Sequence, residues 1–156
     1  MTELLLAPAA LLLAAAASDL RSREIPDAIP ALLALSGFGW LAMLSGPQAL
    51  AWGLIASLLA FALGVVAFRH AQLGGGDVKL IAALMPWLPG DRVGAFALVT
   101  AIAGGLLCLA IAAIRFASVA RRDGAAAALG AARSATAPYA VAIAAGGLAA
   151  LPWGRV

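Results

Sequence analysis

Gln48–Phe68 reads QALAWGLIASLLAFALGVVAF, an apolar run without one charged side chain, closed by Arg69 and His70. A helix rises about 1.5 Å per residue, so a run of roughly 20 residues spans the ~30 Å hydrocarbon core of a bilayer. Similar stretches lie on both sides. Residues 4–18 (LLLAPAALLLAAAAS) precede a charged segment, Asp19–Asp27, and a second run covers about Ala28–Leu44. Ser45, Gly46 and Pro47 turn the chain into Gln48–Phe68. A short fourth segment, about Asp77–Leu88, follows three glycines, and Pro89–Arg92 makes the next turn. A fifth run covers about Val93–Ile114, an Ala-rich basic loop is expected over Arg115–Arg133, and a sixth run covers about Ala135–Trp153.

Composition agrees with a membrane protein. Of the 156 residues, 65% are hydrophobic and only 11% charged, against roughly a quarter charged in soluble domains. The expected fold is therefore all-α, one membrane-embedded domain over residues 1–156 with six transmembrane helices packed against each other and lipid. The missing basic residues before residue 4, and Glu3 in their place, argue for a retained first helix rather than a cleaved signal. The net charge of +3 does not point to nucleic acid, because the basic residues sit singly or in pairs at the ends of apolar runs. With one cysteine (Cys108) and one histidine (His70), no metal site is expected and none of the chemistry requires a cofactor.

Charge sets the expected orientation. Arg21, Arg23, Arg69, Lys79, Arg115, Arg121, Arg122 and Arg133 fall in the first, third and fifth connections, and only Arg92 and Arg155 fall on the other side. The positive-inside tendency places the first set in the cytoplasm and both termini outside. Trp40, Trp52, Trp87 and Trp153 fall at the expected outer helix ends, where indoles favour the membrane interface.

Seven acidic residues remain to be explained. Glu3, Asp91 and Asp123 lie in tails and turns, while Asp19, Glu24, Asp27 and Asp77 share the cytoplasmic connections. Gly74, Gly75 and Gly76 let the backbone approach closely just before Asp77, and irregular backbone at a membrane edge lines cavities rather than lipid. Two carboxylates sharing a proton can hydrolyse a peptide bond: one activates water and the other polarises the carbonyl. Each aspartate also has a simpler reading. Asp77 can be a helix cap, Asp19 an interfacial partner of Arg21, and Asp27 reads as the N-cap of the second helix. Lys79 is either a topology charge or a group that orients Asp77 or a substrate carbonyl. From helix ends alone, Asp77 at a helix N-terminus is expected to be the charged member and Asp19 at a C-terminus the protonated one.

Gly74-Gly75-Gly76-Asp77-Val78-Lys79-Leu80 resembles the GxGD motif of the type IV prepilin (leader) peptidases, including its following lysine. Asp19-Leu20-Arg21-Ser22-Arg23-Glu24-Ile25-Pro26-Asp27 resembles that family's first aspartate motif, and Ala137-Pro138-Tyr139-Ala140 its late Pro-aromatic signature. The resemblance runs from the first helix to the sixth. It implies an aspartic endopeptidase with Asp19 and Asp77 as catalytic carboxylates, supported by Gly74, Gly75, Gly76, Lys79, Arg21, Asp27, Pro138 and Tyr139. It also implies a prepilin substrate whose basic leader is cut on the cytoplasmic side of a bacterial inner membrane. The early first helix and single cysteine resemble the short, peptidase-only branch serving Flp/Tad-type pili, without an N-methyltransferase domain. Met85-Pro86 stands where the family has a Gly-rich continuation, and a kink in the fourth helix is expected there. Small residues such as Gly104, Gly105, Gly146 and Gly147 are read first as close packing within the chain, and second as a surface for the substrate's apolar helix. A different class, a small ion-coupled transporter or a non-catalytic assembly subunit, also uses intramembrane carboxylates, but a transporter wants them near mid-bilayer.

Overall fold

The computed structural model describes residues 2–70, 73–133 and 136–153. Arg155 and the start of the expected sixth run at Ala135 lie outside the described residues. The described chain is helical, with no strand: α1 (Leu6–Ser22), α2 (Ala28–Trp40), α3 (Gly46–Arg69), α4 (Gly75–Leu84), α5 (Val93–Arg133) and α6 (Tyr139–Ala150). Three stretches, Glu3–Ser22, Ala28–Arg69 and Gly90–Ala132, are long and apolar enough to cross a membrane.

Local chemistry explains the boundaries. Arg23 adopts the left-handed conformation (φ 58°, ψ 28°) and returns its N–H to the Asp19 carbonyl at 3.1 Å, ending α1. α2 continues through a π-helical turn, Leu41–Ser45, before Gly46 at φ 83° reverses the chain and Pro47 starts α3. α4 is only 10 residues long. Pro86 has no N–H and its ring crowds the preceding turn, so the chain passes into a 3₁₀ turn at Met85–Trp87. The kink expected at Met85-Pro86 is thus present.

The expected loop over Arg115–Arg133 is instead helical. α5 continues to Arg133, broken only at Gly124 (φ 84°, ψ 170°). Arg115, Arg121 and Arg122 suggested a loop, but the surrounding alanines have the strongest intrinsic helix preference and outweigh that signal. α6 begins at Tyr139, after an approach that includes Pro138, and ends at Ala150 ahead of Pro152.

α4 lies at the centre, against α2, α3 and α6, while α1 packs on α2 and α6 and α5 packs on α6. Leu12, Leu33, Leu80, Leu84, Ile143 and Leu151 are fully buried. The outer faces are apolar: Leu58 is 68% exposed, Leu63 71% and Leu109 69%, which suits lipid and not water. Close packing uses small residues. A Cβ on Gly147 would meet Leu12 Cδ1 at 2.8 Å and Leu84 Cδ2 at 3.0 Å, and one on Gly64 would meet Val78 Cγ1 at 2.6 Å. Gly146 is likewise filled by Thr100, and Gly104 by the Tyr139 ring. Gly104, Gly146 and Gly147 thus serve close packing within the chain, the first of their two readings, and of the four only Gly105 faces open space.

The tryptophans divide. Trp40, Trp52 and Trp87 line one cavity together with Pro152. Trp52 is 64% exposed and Trp153 41%, as interfacial indoles would be. Trp87 is buried: its Nε1–H donates to the Leu33 carbonyl at 2.9 Å and its ring stacks on Trp40. Its position is therefore accounted for by packing.

Candidate active site

Asp19 stands in the last turn of α1 and is 8% exposed. Its Oδ2 accepts a hydrogen bond from the Ala140 backbone N–H at 3.0 Å. Ala140 is the second residue of α6, and N–H groups in a first turn have no partner within their own helix. Pro138 precedes that turn and supplies no donor. The carboxylate of one helix thus caps another, in a partly positive setting. Asp19 is not the surface partner of Arg21; Arg21 is exposed.

Asp77 is the third residue of α4. Its Oδ2 accepts from the Gly74 N–H at 3.2 Å, one half of a capping box. The glycines before it are needed for different reasons. A Cβ at Gly74 would meet Asp77 Oδ2 at 2.9 Å, and one at Gly76 would meet Ile25 Cβ at 3.1 Å. At Gly75 the nearest contact is Phe68 at 3.8 Å, an ordinary separation.

Both aspartates line the same two cavities. The smaller, about 300 Å³, is walled by Asp19, Arg23, Glu24, Ile25, Asp27, Gly74, Gly75, Gly76 and Asp77. The larger, about 720 Å³, adds Phe68, Leu73, Cys108, Thr136, Ala137 and Tyr139 to Asp19, Arg23, Gly74 and Asp77. A single space therefore offers two carboxylates, a guanidinium and an aromatic hydroxyl, with apolar walls on one side.

The supporting residues fall differently from expectation. Asp27 occupies the N-cap position of α2, yet its backbone is helical (φ −58°, ψ −22°) and its side chain makes no cap bond. It pairs instead with Lys79, Nζ to Oδ1 at 2.6 Å, with the two side chains 76% and 48% exposed. Lys79 is thereby committed to Asp27, not to Asp77. Arg21 lines neither cavity, whereas Arg23 lines both and donates from Nη1 to the Thr136 carbonyl at 3.0 Å. The sequence pointed to Arg21 as the supporting arginine and not to Arg23; the left-handed turn at residue 23 is what brings Arg23 to the cavities instead. Pro138 is buried at the start of α6, and Tyr139 is half-buried with its ring over Gly104. Cys108 is exposed and lines the larger cavity. Among the described residues, no group of three or more His, Cys, Asp or Glu is arranged to hold a metal ion.

A third space lies on the flank of the bundle, about 490 Å³ between α2, α3 and α4. Its walls are Pro30, Ala31, Ala34, Phe38, Leu54, Leu58 and Phe61 over a floor of Ala82 and Ala83, with Asp27 and Lys79 at one end. Asp27 is common to this groove and to the smaller carboxylate cavity.

Residues 6–112 match the type IV leader peptidase family. That span carries α1 to α4, both aspartates and the three glycines. No curated protein and no solved structure matches the chain.

Proposed function

Because the chain belongs to the type IV leader peptidase family, we propose that it is an aspartic endopeptidase that removes the short basic leader of a Flp-like type IV prepilin. The reaction would take place at the cytoplasmic face of a bacterial inner membrane, with Asp19 and Asp77 as the carboxylates. The observation that supports this most is that both aspartates line the same two cavities at helix ends, in a bundle with an apolar exterior. Asp19 lies in the last turn of α1 and Asp77 in the first turn of α4, an arrangement that suits access from the membrane edge better than a mid-bilayer ion path. The six-span topology with both termini outside belongs to the same proposal.

The roles of the pair follow from their donors. The assignment from helix ends alone gave Asp19 no compensating dipole, yet Asp19 accepts from the first turn of α6. Asp19 is also the more buried of the two, which by itself disfavours charge, so its ionised form rests on the Ala140 N–H and on the helix start behind it. Asp19 is then the charged member that takes a proton from water. The resulting hydroxide adds to the scissile carbonyl carbon as Asp77 gives its proton to the carbonyl oxygen. Collapse of the tetrahedral intermediate breaks the C–N bond, the leaving amine takes the proton held by Asp19, and Asp77 recovers one from the oxygen.

The substrate's apolar helix fits the groove between α2 and α3 better than the glycines of α5 and α6, most of which are already filled. Its N-terminal extension would pass Asp27 and Glu24 to reach the carboxylates, and these acids suit a basic leader. Co-expression with a prepilin whose leader ends in Gly tests the reading. Processing by wild type, abolished in Asp19→Ala and Asp77→Ala, is expected; equal retention of the leader in all three refutes it.

A further inference from the structure

Arg23 is the only described residue other than glycine with a positive φ. Helices commonly end on a glycine at such a position, because an L side chain is strained there. An arginine at this site needs something that holds it. Its N–H closes onto the Asp19 carbonyl at 3.1 Å, and its guanidinium reaches the Thr136 carbonyl at 3.0 Å, 113 residues away in the chain.

That second bond has a companion. Asp19 and Arg23 are four residues apart, and so are Thr136 and Ala140. Asp19 Oδ2 accepts from Ala140 N at 3.0 Å, while Arg23 Nη1 donates to Thr136 O at 3.0 Å. The end of α1 thus grips the entry to α6 at two points, once as acceptor and once as donor. Between them lies Pro138, whose fixed φ limits how the entry can bend. A lever of this kind sets where the Ala140 N–H points. With the Arg23 end released, the Asp19 end is held by a single bond whose donor can drift.

We propose that Arg23 is a positioning residue for the peptidase site: by holding Thr136 it fixes the start of α6, so that the Ala140 N–H keeps its hydrogen bond to the Asp19 carboxylate and holds it at the cavity. This rests on Asp19 being a catalytic carboxylate. Arg23 acts through the backbone of α6 and does not touch the scissile bond. The general form is a helix entry clamped from the helix that carries the reacting group, as supporting contacts fix the geometry of designed sites.

The test uses two substitutions. Arg23→Gly accepts the left-handed backbone more readily than arginine and removes the guanidinium. Arg23→Met keeps the side-chain bulk and the backbone demand but has no donor, so it carries the test should the glycine variant fail to fold. Each is made in full-length protein in nanodiscs carrying Asp77→Asn, and the Asp19 carboxyl is followed by infrared titration, isolated as the difference from the same protein carrying Asp19→Asn. Loss of a charge-assisted hydrogen bond is expected to move the Asp19 titration upward by about one pH unit. In proteins with Asp77 intact, kcat is expected to fall about tenfold with KM within twofold, and the acidic limb of the cleavage profile moves up by the same amount as the titration. An Asp19 titration unchanged from the arginine parent overturns the proposal, whatever the activity does. A wild-type protein that cleaves no leader removes the peptidase reading but leaves the infrared result standing, so the two failures are separate.

Discussion

Asp19 on α1 and Ala140 on α6 meet through a 3.0 Å hydrogen bond across 121 residues of sequence, so that a carboxylate proposed for catalysis is also the cap of a helix. The two roles separate by substitution. Asparagine keeps an oxygen that accepts from Ala140 but cannot act as a base. Asp19→Asn is expected to retain the wild-type melting temperature within about 2 °C and to lose about 10²–10⁴ in cleavage rate. Asp19→Ala loses the cap as well, at about 1 kcal/mol of stability. Thermal unfolding in detergent beside a leader-cleavage assay reads both.

The glycines before Asp77 are unequal. Gly74→Ala pushes a methyl group toward Asp77 Oδ2, whereas Gly75→Ala meets only Phe68 at 3.8 Å. Gly74→Ala is expected to lose roughly 10²-fold in kcat, as small misplacements of a reacting group do, and Gly75→Ala to stay within a few-fold of wild type. Steady-state kinetics on the two variants, with helicity checked by circular dichroism, would contradict this if the order were reversed.

The Asp27–Lys79 pair is largely solvent-facing, so it is a weak source of stability. Lys79→Met is expected to change the melting temperature little. Asp27→Lys is expected to raise KM for a basic leader several-fold with kcat within twofold, because Asp27 stands where the flank groove joins the carboxylate cavity. A leader with its basic residues replaced should be insensitive to Asp27→Lys. Equal effects on both substrates would remove Asp27 from substrate contact.

Ala34 forms part of the wall of that groove. Ala34→Trp fills the space from the lipid side, away from the carboxylates. Raised KM with unchanged helicity is expected, and a KM equal to wild type would show that the substrate helix lies elsewhere.

Inside the bundle, Gly147 and Gly105 make a matched pair. Gly147→Ala drives a methyl group against Leu12 and Leu84, while Gly105→Ala meets nothing within 4 Å. Overpacking at Gly147 is expected to cost about 1–3 kcal/mol, and Gly105→Ala is expected to be neutral. Thermal melts of the two proteins decide it.

The helices were legible as apolar runs, and the glycines before Asp77 marked the start of α4, although Gly75 and Gly76 lie inside the helix and not ahead of it. The proline kink after Leu84 was legible too, since Pro86 acts on its own turn. What sequence did not carry was contact between distant segments. Asp27 has every local mark of a cap, yet its partner is Lys79, 52 residues on. Asp19 looked like a carboxylate disfavoured by the end of its own helix until α6 brought it a donor. Arg21 and Arg23 are chemically alike, and only the left-handed turn at residue 23 sends one into the site. The α5 extension was misjudged because its arginines were weighed above the helix preference of its alanines.

The most direct measurement reconstitutes the wild-type protein, Asp19→Asn and Asp77→Asn separately in liposomes with a purified prepilin bearing a basic leader, and follows the substrate by intact mass. One new mass, the substrate less its leader, is expected with wild type only, and the asparagine variants are expected to be folded but inactive. Cleavage at a wild-type rate by either variant would contradict the two-carboxylate site.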